Sequence, residues 1–140
     1  MYDSYISINK KFKSSINLQF DLNNLDKVDE YIPTTDLCDV IKKYLLSALG
    51  KNEDRSTLLV GPYGKGKSFL MLIITYIFSI KDKTKKAKEV FNNFVNRVRV
   101  VDNELADLIL EIEKEKIYLL PVIINSNNSA DLNKVFMLSL

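Results

Sequence analysis

The sequence contains no histidine and only one cysteine, Cys38, among its 140 residues. Without histidine, this chain cannot supply a Ser-His-Asp triad, a Cys-His pair or a histidine metal ligand. A single cysteine excludes an intramolecular disulfide and a cysteine-based zinc cluster, and it favours a reducing compartment. These absences exclude the commonest histidine- and cysteine-dependent enzymes.

Charge is almost balanced, with 20 basic and 18 acidic side chains and a net charge of +2. That excess is too small to indicate nucleic acid or an anionic membrane as a partner. Arginine, which usually provides bidentate phosphate contacts, is greatly outnumbered by lysine. One lysine cluster could touch DNA, but no aromatic side chains interleave with it. A solvated surface is therefore the favoured interpretation of the cluster, and DNA lacks support as a partner. The cluster comprises Lys81, Lys83, Lys85, Lys86 and Lys88.

The longest apolar run, residues 69–80, is about 12 residues long, whereas a transmembrane helix needs about 20. It is bracketed by Lys67 and Lys81, so we predict a buried helix and no membrane association. The start of the chain lacks the apolar segment of a signal peptide. With 46% apolar and 27% charged residues, the composition is that of a globular domain, and we expect a cytoplasmic protein.

Helical periodicity is strongest over residues 36–49, where apolar side chains recur every three or four positions. Thr35 is the predicted N-cap, and Gly50 is the residue predicted to end this helix. Similar spacing predicts a helix over residues 90–98, although residues 98–101 could instead form a strand. Another helix is predicted after Asp102, and a last helical pattern begins at Asp131.

Three segments have the pattern of strands. Residues 16–22 alternate apolar and polar side chains, which is typical of a half-buried strand. Residues 57–60 are a short apolar run, and residues 117–124 are rich in β-branched side chains, as in strands of a parallel sheet. Pro121 restricts the last of these to a sheet edge or to the beginning of a strand. Helices and short apolar strands together predict an α/β fold.

Residues 61–68 match the phosphate-binding pattern G-x-x-x-x-G-K-[ST] in full. Glycine permits backbone angles that turn successive N–H groups toward an anion, and the following helix adds its positive end. Lys67 would reach the β- and γ-phosphates, and Ser68 would offer its hydroxyl to Mg²⁺. A predicted strand before the loop and a helix after it are the context that this motif requires. The predicted nucleotide-binding residues are Gly61, Pro62, Tyr63, Gly64, Lys65, Gly66, Lys67, Ser68 and Phe69.

Hydrolysis would further need a carboxylate at the end of a second strand, where it would hold Mg²⁺ through water. Asp102 and Glu104, which follow the apolar residues 98–101, are weak candidates for this role. A helix N-cap is the favoured interpretation of Asp102. No N-K-x-D sequence is present, which disfavours GTP. The sequence therefore indicates ATP binding more strongly than catalysis.

The order of Tyr31-Ile32-Pro33, a helix, an apolar run and then Gly-Pro-Tyr-Gly-Lys-Gly-Lys-Ser resembles the beginning of AAA+ and STAND-type ATPase modules, most of all the origin-recognition branch. That resemblance implies that Tyr31 and Ile32 lie against the adenine of ATP. The same loop, followed by an apolar helix and by Leu-Pro-Val-Ile-Ile-Asn at 120–125, is also similar to the N-terminal part of large bacterial ATPases of BREX-type phage-defence systems.

The resemblance implies a P-loop NTPase with a three-layer α/β/α core and a parallel sheet, truncated at its C-terminus. It assigns residues 1–30 to an N-terminal arm and residues 31–140 to the N-terminal part of an ATPase domain. The Walker B carboxylate, the sensor residues and the arginine finger would lie beyond residue 140. The implied partners are ATP, Mg²⁺ and either a homo-oligomer or a larger defence complex.

Two other functions share this phosphate loop. A small-molecule kinase would need an acceptor site and a mobile lid with arginines, of which the chain has few. A non-catalytic, nucleotide-gated interaction module would instead use ATP to order a surface for a partner. Turnover measured beside binding would separate these alternatives from an ATPase.

Overall fold

The described part of the chain folds into six α-helices, and residues of α2 to α6 form one hydrophobic core. The computed structural model describes residues 16–53, 56–62, 64, 66–79 and 84–123. No strand occurs within these ranges. The helices are α1 (Leu18–Asp21), α2 (Leu25–Asp29), α3 (Thr35–Ala48), α4 (Lys67–Phe78), α5 (Lys85–Val101) and α6 (Asn103–Lys114).

Helix α3 confirms the helix predicted over residues 36–49. Thr34, one residue before the predicted cap, is the N-cap, and its side chain makes no capping hydrogen bond. At the other end, Gly50 has a φ of 69° and donates its N–H to Ser47, while Lys51 donates to the carbonyl of Leu46. These two bonds form a Schellman motif, in which glycine takes the left-handed conformation without steric cost.

Helix α4 lies at the centre of the bundle and confirms the buried helix predicted from the long apolar run. It contacts α1, α2, α3 and α6, so nearly every face of the helix is covered by protein. A helix that is apolar all round is stable only when it is enclosed in this way. Its buried side chains are Leu70, Leu72, Ile73, Ile74, Tyr76, Ile77 and Phe78.

Helices α5 and α6 form an amphipathic pair, and α5 extends through residues 98–101, which were also considered as a strand. Val98 is fully buried, whereas Val100 is 88% exposed, as expected for helical rather than alternating burial. Asp102 separates the two helices, because its N–H donates to Val98 and its carboxylate accepts from the N–H of Leu105. The predicted N-cap at Asp102 is therefore confirmed.

The first two helices correct the strand predicted over residues 16–22. Asn17 and Asn24 are N-caps, and their side chains accept hydrogen bonds from the N–H groups of Gln19 and Asp26. Asparagine favours this geometry because its short amide competes for nearby backbone donors. The apolar alternation over residues 16–22 thus lies in and around the short capped helix α1, and α2 follows it.

The predicted three-layer α/β/α fold with a parallel sheet is wrong for the described residues, all of whose regular elements are helical. Residues 57–60 belong to no helix or strand, and Leu58 and Val60 are 86% and 84% exposed. In residues 117–123, the N–H of Leu119 donates to the carbonyl of Phe78 at the end of α4. A strand needs a neighbouring strand to pair its backbone, and no such neighbour lies beside either segment in the described ranges.

Two further predictions fall partly or wholly outside the described residues. The helix predicted from Asp131 lies entirely outside them, as does the end of the strand predicted over residues 117–124. Within the described ranges, no helix has the length and apolar character needed to cross a membrane.

Candidate functional site

The glycine-rich loop leads directly into the first turn of α4. Gly64 and Gly66 have φ values of 81° and 76°, and Gly66 is the N-cap of the helix. An added Cβ at Gly66 would meet no atom within 4 Å, so the left-handed backbone, rather than lack of space, calls for glycine here. Tyr63 and Lys65, which we predicted to bind nucleotide, lie outside the described residues.

Lys67, the first residue of α4, folds its side chain back over the loop. Its Nζ donates hydrogen bonds to the carbonyl oxygens of Gly61 and Pro62, at 2.7 and 2.8 Å. The ammonium group is thereby held against the first two residues of the loop that precedes the helix. Three of the predicted binding residues are thus joined by direct contacts.

A cleft of about 330 Å³ opens beside Lys67 and Ser68. Helices α1, α3 and α4 and the residues before the loop supply its walls. None of the described lining residues is acidic, so no fixed negative charge among them opposes an anion. The lining residues are Leu18, Tyr44, Thr57, Leu59, Lys67, Ser68 and Met71.

The structure brings Tyr31 close to the start of α4 but buries it. Its ring is 1% exposed and lies 5.4 Å from the ring of Phe69 and 6.0 Å from that of Phe94, measured between centroids. Burial raises the pKa of the Tyr31 hydroxyl, and the neighbouring Cys38 thiol adds to the rise. Ile32, in contrast, is 74% exposed. Of the two residues predicted to contact adenine, only Ile32 has an accessible side chain in this conformation.

Asp102 and Glu104, the weak catalytic candidates, both pair with Lys42 on α3. The Nζ of Lys42 donates a hydrogen bond to Glu104 and lies 3.8 Å from a carboxylate oxygen of Asp102. The hydrogen bond to Glu104 raises the pKa of Lys42, and the charge of Asp102 acts in the same direction. Neither acidic residue lines the cleft beside Lys67. Their contacts join α3 to α6.

Metal-ligating side chains are not clustered in the described ranges, where no group of three histidine, cysteine, aspartate or glutamate residues could hold an ion. Ser68 is exposed at the start of α4, in the position predicted for a Mg²⁺ ligand. Cys38 is buried, and burial raises the pKa of its thiol to about 11. A buried neutral thiol is a poor nucleophile and a poor ligand.

The lysine cluster begins α5 on the surface of the bundle. Lys85, Lys86 and Lys88 are exposed, and Lys86 pairs with Asp26 of α2 at 2.9 Å. Lys81 and Lys83 lie outside the described residues. The described members are thus exposed at the start of α5, and the absence of DNA contact stays a prediction.

Sequence reasoning missed the apolar wall of the cleft. Tyr44 and Met71 were interpreted as apolar positions of α3 and α4, and Leu18 was assigned to a strand. Their periodicity shows that these side chains face other parts of the protein, but it does not show which of them border an opening. Only the packing of α1 and α3 against α4 reveals the cleft.

Comparison with known proteins provides no relative: no protein-family model, no curated protein and no solved structure matches this chain. The resemblance to AAA+, STAND and BREX-type ATPases therefore rests on the phosphate loop and the short segments quoted with it.

Proposed function

We propose that this protein binds Mg-ATP, with residues 61–68 holding the phosphates at the N-terminus of α4. The observation that carries the proposal is the join between loop and helix. There, Gly66 in the left-handed conformation is followed at once by Lys67, whose ammonium group lies against the loop carbonyls. This joins a full phosphate-binding sequence to the start of a well-formed helix.

The first turn of α4 provides the backbone donors. The first N–H groups of a helix have no partner within the helix, and they carry the positive end of its dipole. No acidic side chain occurs in this turn, so the positive potential there is not cancelled locally. A triphosphate at this position would accept hydrogen bonds from these N–H groups.

Lys67 provides the mobile positive charge of the site. In the described conformation its ammonium group is satisfied by two neutral carbonyls. Phosphate oxygens carry negative charge and are stronger acceptors, so they would replace one or both carbonyls. Ser68 would contribute its hydroxyl to Mg²⁺, which would neutralise phosphate charge and take its other ligands from phosphate and water.

A nucleotide-gated interaction module is the second candidate, and the residues before the loop favour it. Leu58 and Val60 are almost fully exposed although both are large and apolar. Both lie within the three residues before Gly61, so a change in the loop on binding phosphate would act on them first. Asp102 and Glu104, the candidate catalytic carboxylates, pair with Lys42 and do not line the cleft. Hydrolysis therefore stays a prediction that only the family resemblance implies.

Calorimetric titration of Mg-ATP into the protein and into a Lys67→Ala variant tests the proposal. Hydrogen bonds to charged groups contribute about 1.5–3 kcal/mol, so the variant should bind at least about tenfold more weakly. Lys88→Ala removes the same charge from the exposed surface of α5 and should bind ATP like the parent. Equal affinity in the parent and in Lys67→Ala would refute the assignment.

A further inference from the structure

The cleft beside Lys67 and Ser68 is lined by two chemically different kinds of side chain. Thr57, Lys67 and Ser68 are polar, whereas the other lining side chains are largely apolar, namely Leu18, Tyr44, Leu59 and Met71. All four of these side chains are partly buried, so they form a wall rather than isolated exposed groups. A nucleotide has the same two-part chemistry, because charged phosphates are joined through a sugar to a flat base with apolar faces.

Tyr44 is the aromatic side chain of this wall. It lies on α3 between Ile41 and Leu45, whose side chains are 0% exposed and fix that part of the helix in the core. Sites carried by rigid elements hold their geometry better than sites on loops. A stacked base therefore requires no reordering of the backbone around Tyr44.

The other aromatic residue predicted to meet a base is covered. Tyr31 is packed between Phe69 and Phe94 and is 1% exposed, so neither face of its ring is open to a ligand. Phe69 itself lies against Tyr31. Among the described residues that line the cleft, Tyr44 is the one with an aromatic ring.

We propose that this cleft receives the nucleobase of the bound nucleotide, with the ring of Tyr44 as its stacking surface. The inference rests on the proposed function, because the phosphates bound at residues 61–68 would bring the base to the cleft. The cleft volume of about 330 Å³ lies at the lower end of the range of roughly 300–1,000 Å³ for small-molecule sites. The base thus contacts α3, and the phosphates contact α4.

Two probes separate the base contact from the phosphate contact. Magnesium tripolyphosphate carries the triphosphate charge without a base, and Mg-ATP carries both. We expect Tyr44→Leu to weaken Mg-ATP binding by about fivefold or more, since stacking on an aromatic ring contributes roughly 1–3 kcal/mol per base. The same variant should bind tripolyphosphate like the parent, which also shows that it is folded. Tyr44→Phe, which keeps the ring, should bind both probes like the parent.

Tyr118→Leu is the matched control, because Tyr118 is a partly exposed tyrosine that does not line the cleft. It should leave the affinity for both probes unchanged. Ile32→Ala tests the rival position of the base, since Ile32 is exposed and was predicted to lie against adenine.

The outcomes distinguish the two proposals from each other. If the parent binds neither probe, the proposed function fails and this inference fails with it. If tripolyphosphate binds in a Lys67-dependent way but Tyr44→Leu changes both affinities equally, or neither, the phosphate site stands and the base contact is refuted. Selective loss of Mg-ATP affinity in Ile32→Ala, with none in Tyr44→Leu, would move the base to residue 32.

Discussion

Lys116 has a backbone conformation that is unusual for its residue type. Its φ is 54°, and it is the one non-glycine residue with positive φ in the described part of the chain. It follows the last turn of α6, where its N–H donates to Glu113 and the N–H of Ile117 donates to Ile112. This is the same Schellman ending that Gly50 gives to α3, but here a side chain makes the left-handed conformation costly by about 1–2 kcal/mol.

We predict that Lys116→Gly stabilises the protein. Glycine adopts the left-handed conformation freely, although it also gains freedom in the unfolded chain, so the expected net increase in unfolding free energy is about 0.5–1 kcal/mol. Equilibrium denaturation in urea measures this change. Lys116→Ala removes the charge but keeps the strained backbone, so it should be close to the parent. An equal gain in both variants would attribute the effect to charge and contradict the backbone argument.

The junction of α5 and α6 depends on Asp102 at the scale of the element. Its N–H ends α5, its carboxylate caps α6, and its charge faces Lys42 of α3. One residue therefore ends α5, caps α6 and contacts a third helix. These contacts account for Asp102 without a catalytic role.

Asp102→Ala should lower the unfolding free energy by about 1 kcal/mol or somewhat more, because it removes the N-cap acceptor and one charge beside Lys42. Asp102→Asn keeps a capping oxygen and should lose much less. Thermal or urea unfolding of both variants measures the difference, and Mg-ATP affinity should be unchanged in each. A large loss of nucleotide affinity with unchanged stability would instead return Asp102 to the nucleotide site.

The local sequence pattern predicted the long helices correctly, but the short strands that it predicted are not found among the described residues. Residues 36–49 carry enough turns of apolar spacing to identify α3, and the long apolar run identifies α4 in the same way. Residues 57–60 are too few to show a period, and a strand depends on a partner that is often distant in sequence. The exposure of Leu58 and Val60 shows that an apolar, β-branched composition did not by itself produce a ladder.

At the scale of the whole molecule, the candidate site joins stretches that are far apart in the chain. Lys67 and Ser68 could be predicted because a local motif specifies them. Tyr44 lies more than twenty residues earlier, and its place beside them follows from how α3 packs on α4. The burial of Tyr31 against Phe69 and Phe94 likewise follows from the packing of segments that are distant in the chain. Such side-chain neighbours follow from long-range packing, which a single sequence does not reveal.

The central claim is that the loop and first turn of α4 bind the phosphates of ATP, and a titration of the ¹⁵N-labelled protein with Mg-ATP followed by amide chemical shifts tests it most directly. The account predicts saturable shifts at the amides of Gly64, Gly66, Lys67 and Ser68, shared by magnesium tripolyphosphate and lost or strongly weakened in Lys67→Ala. Shifts confined to other helices, or loop shifts that persist unchanged in Lys67→Ala, would contradict it.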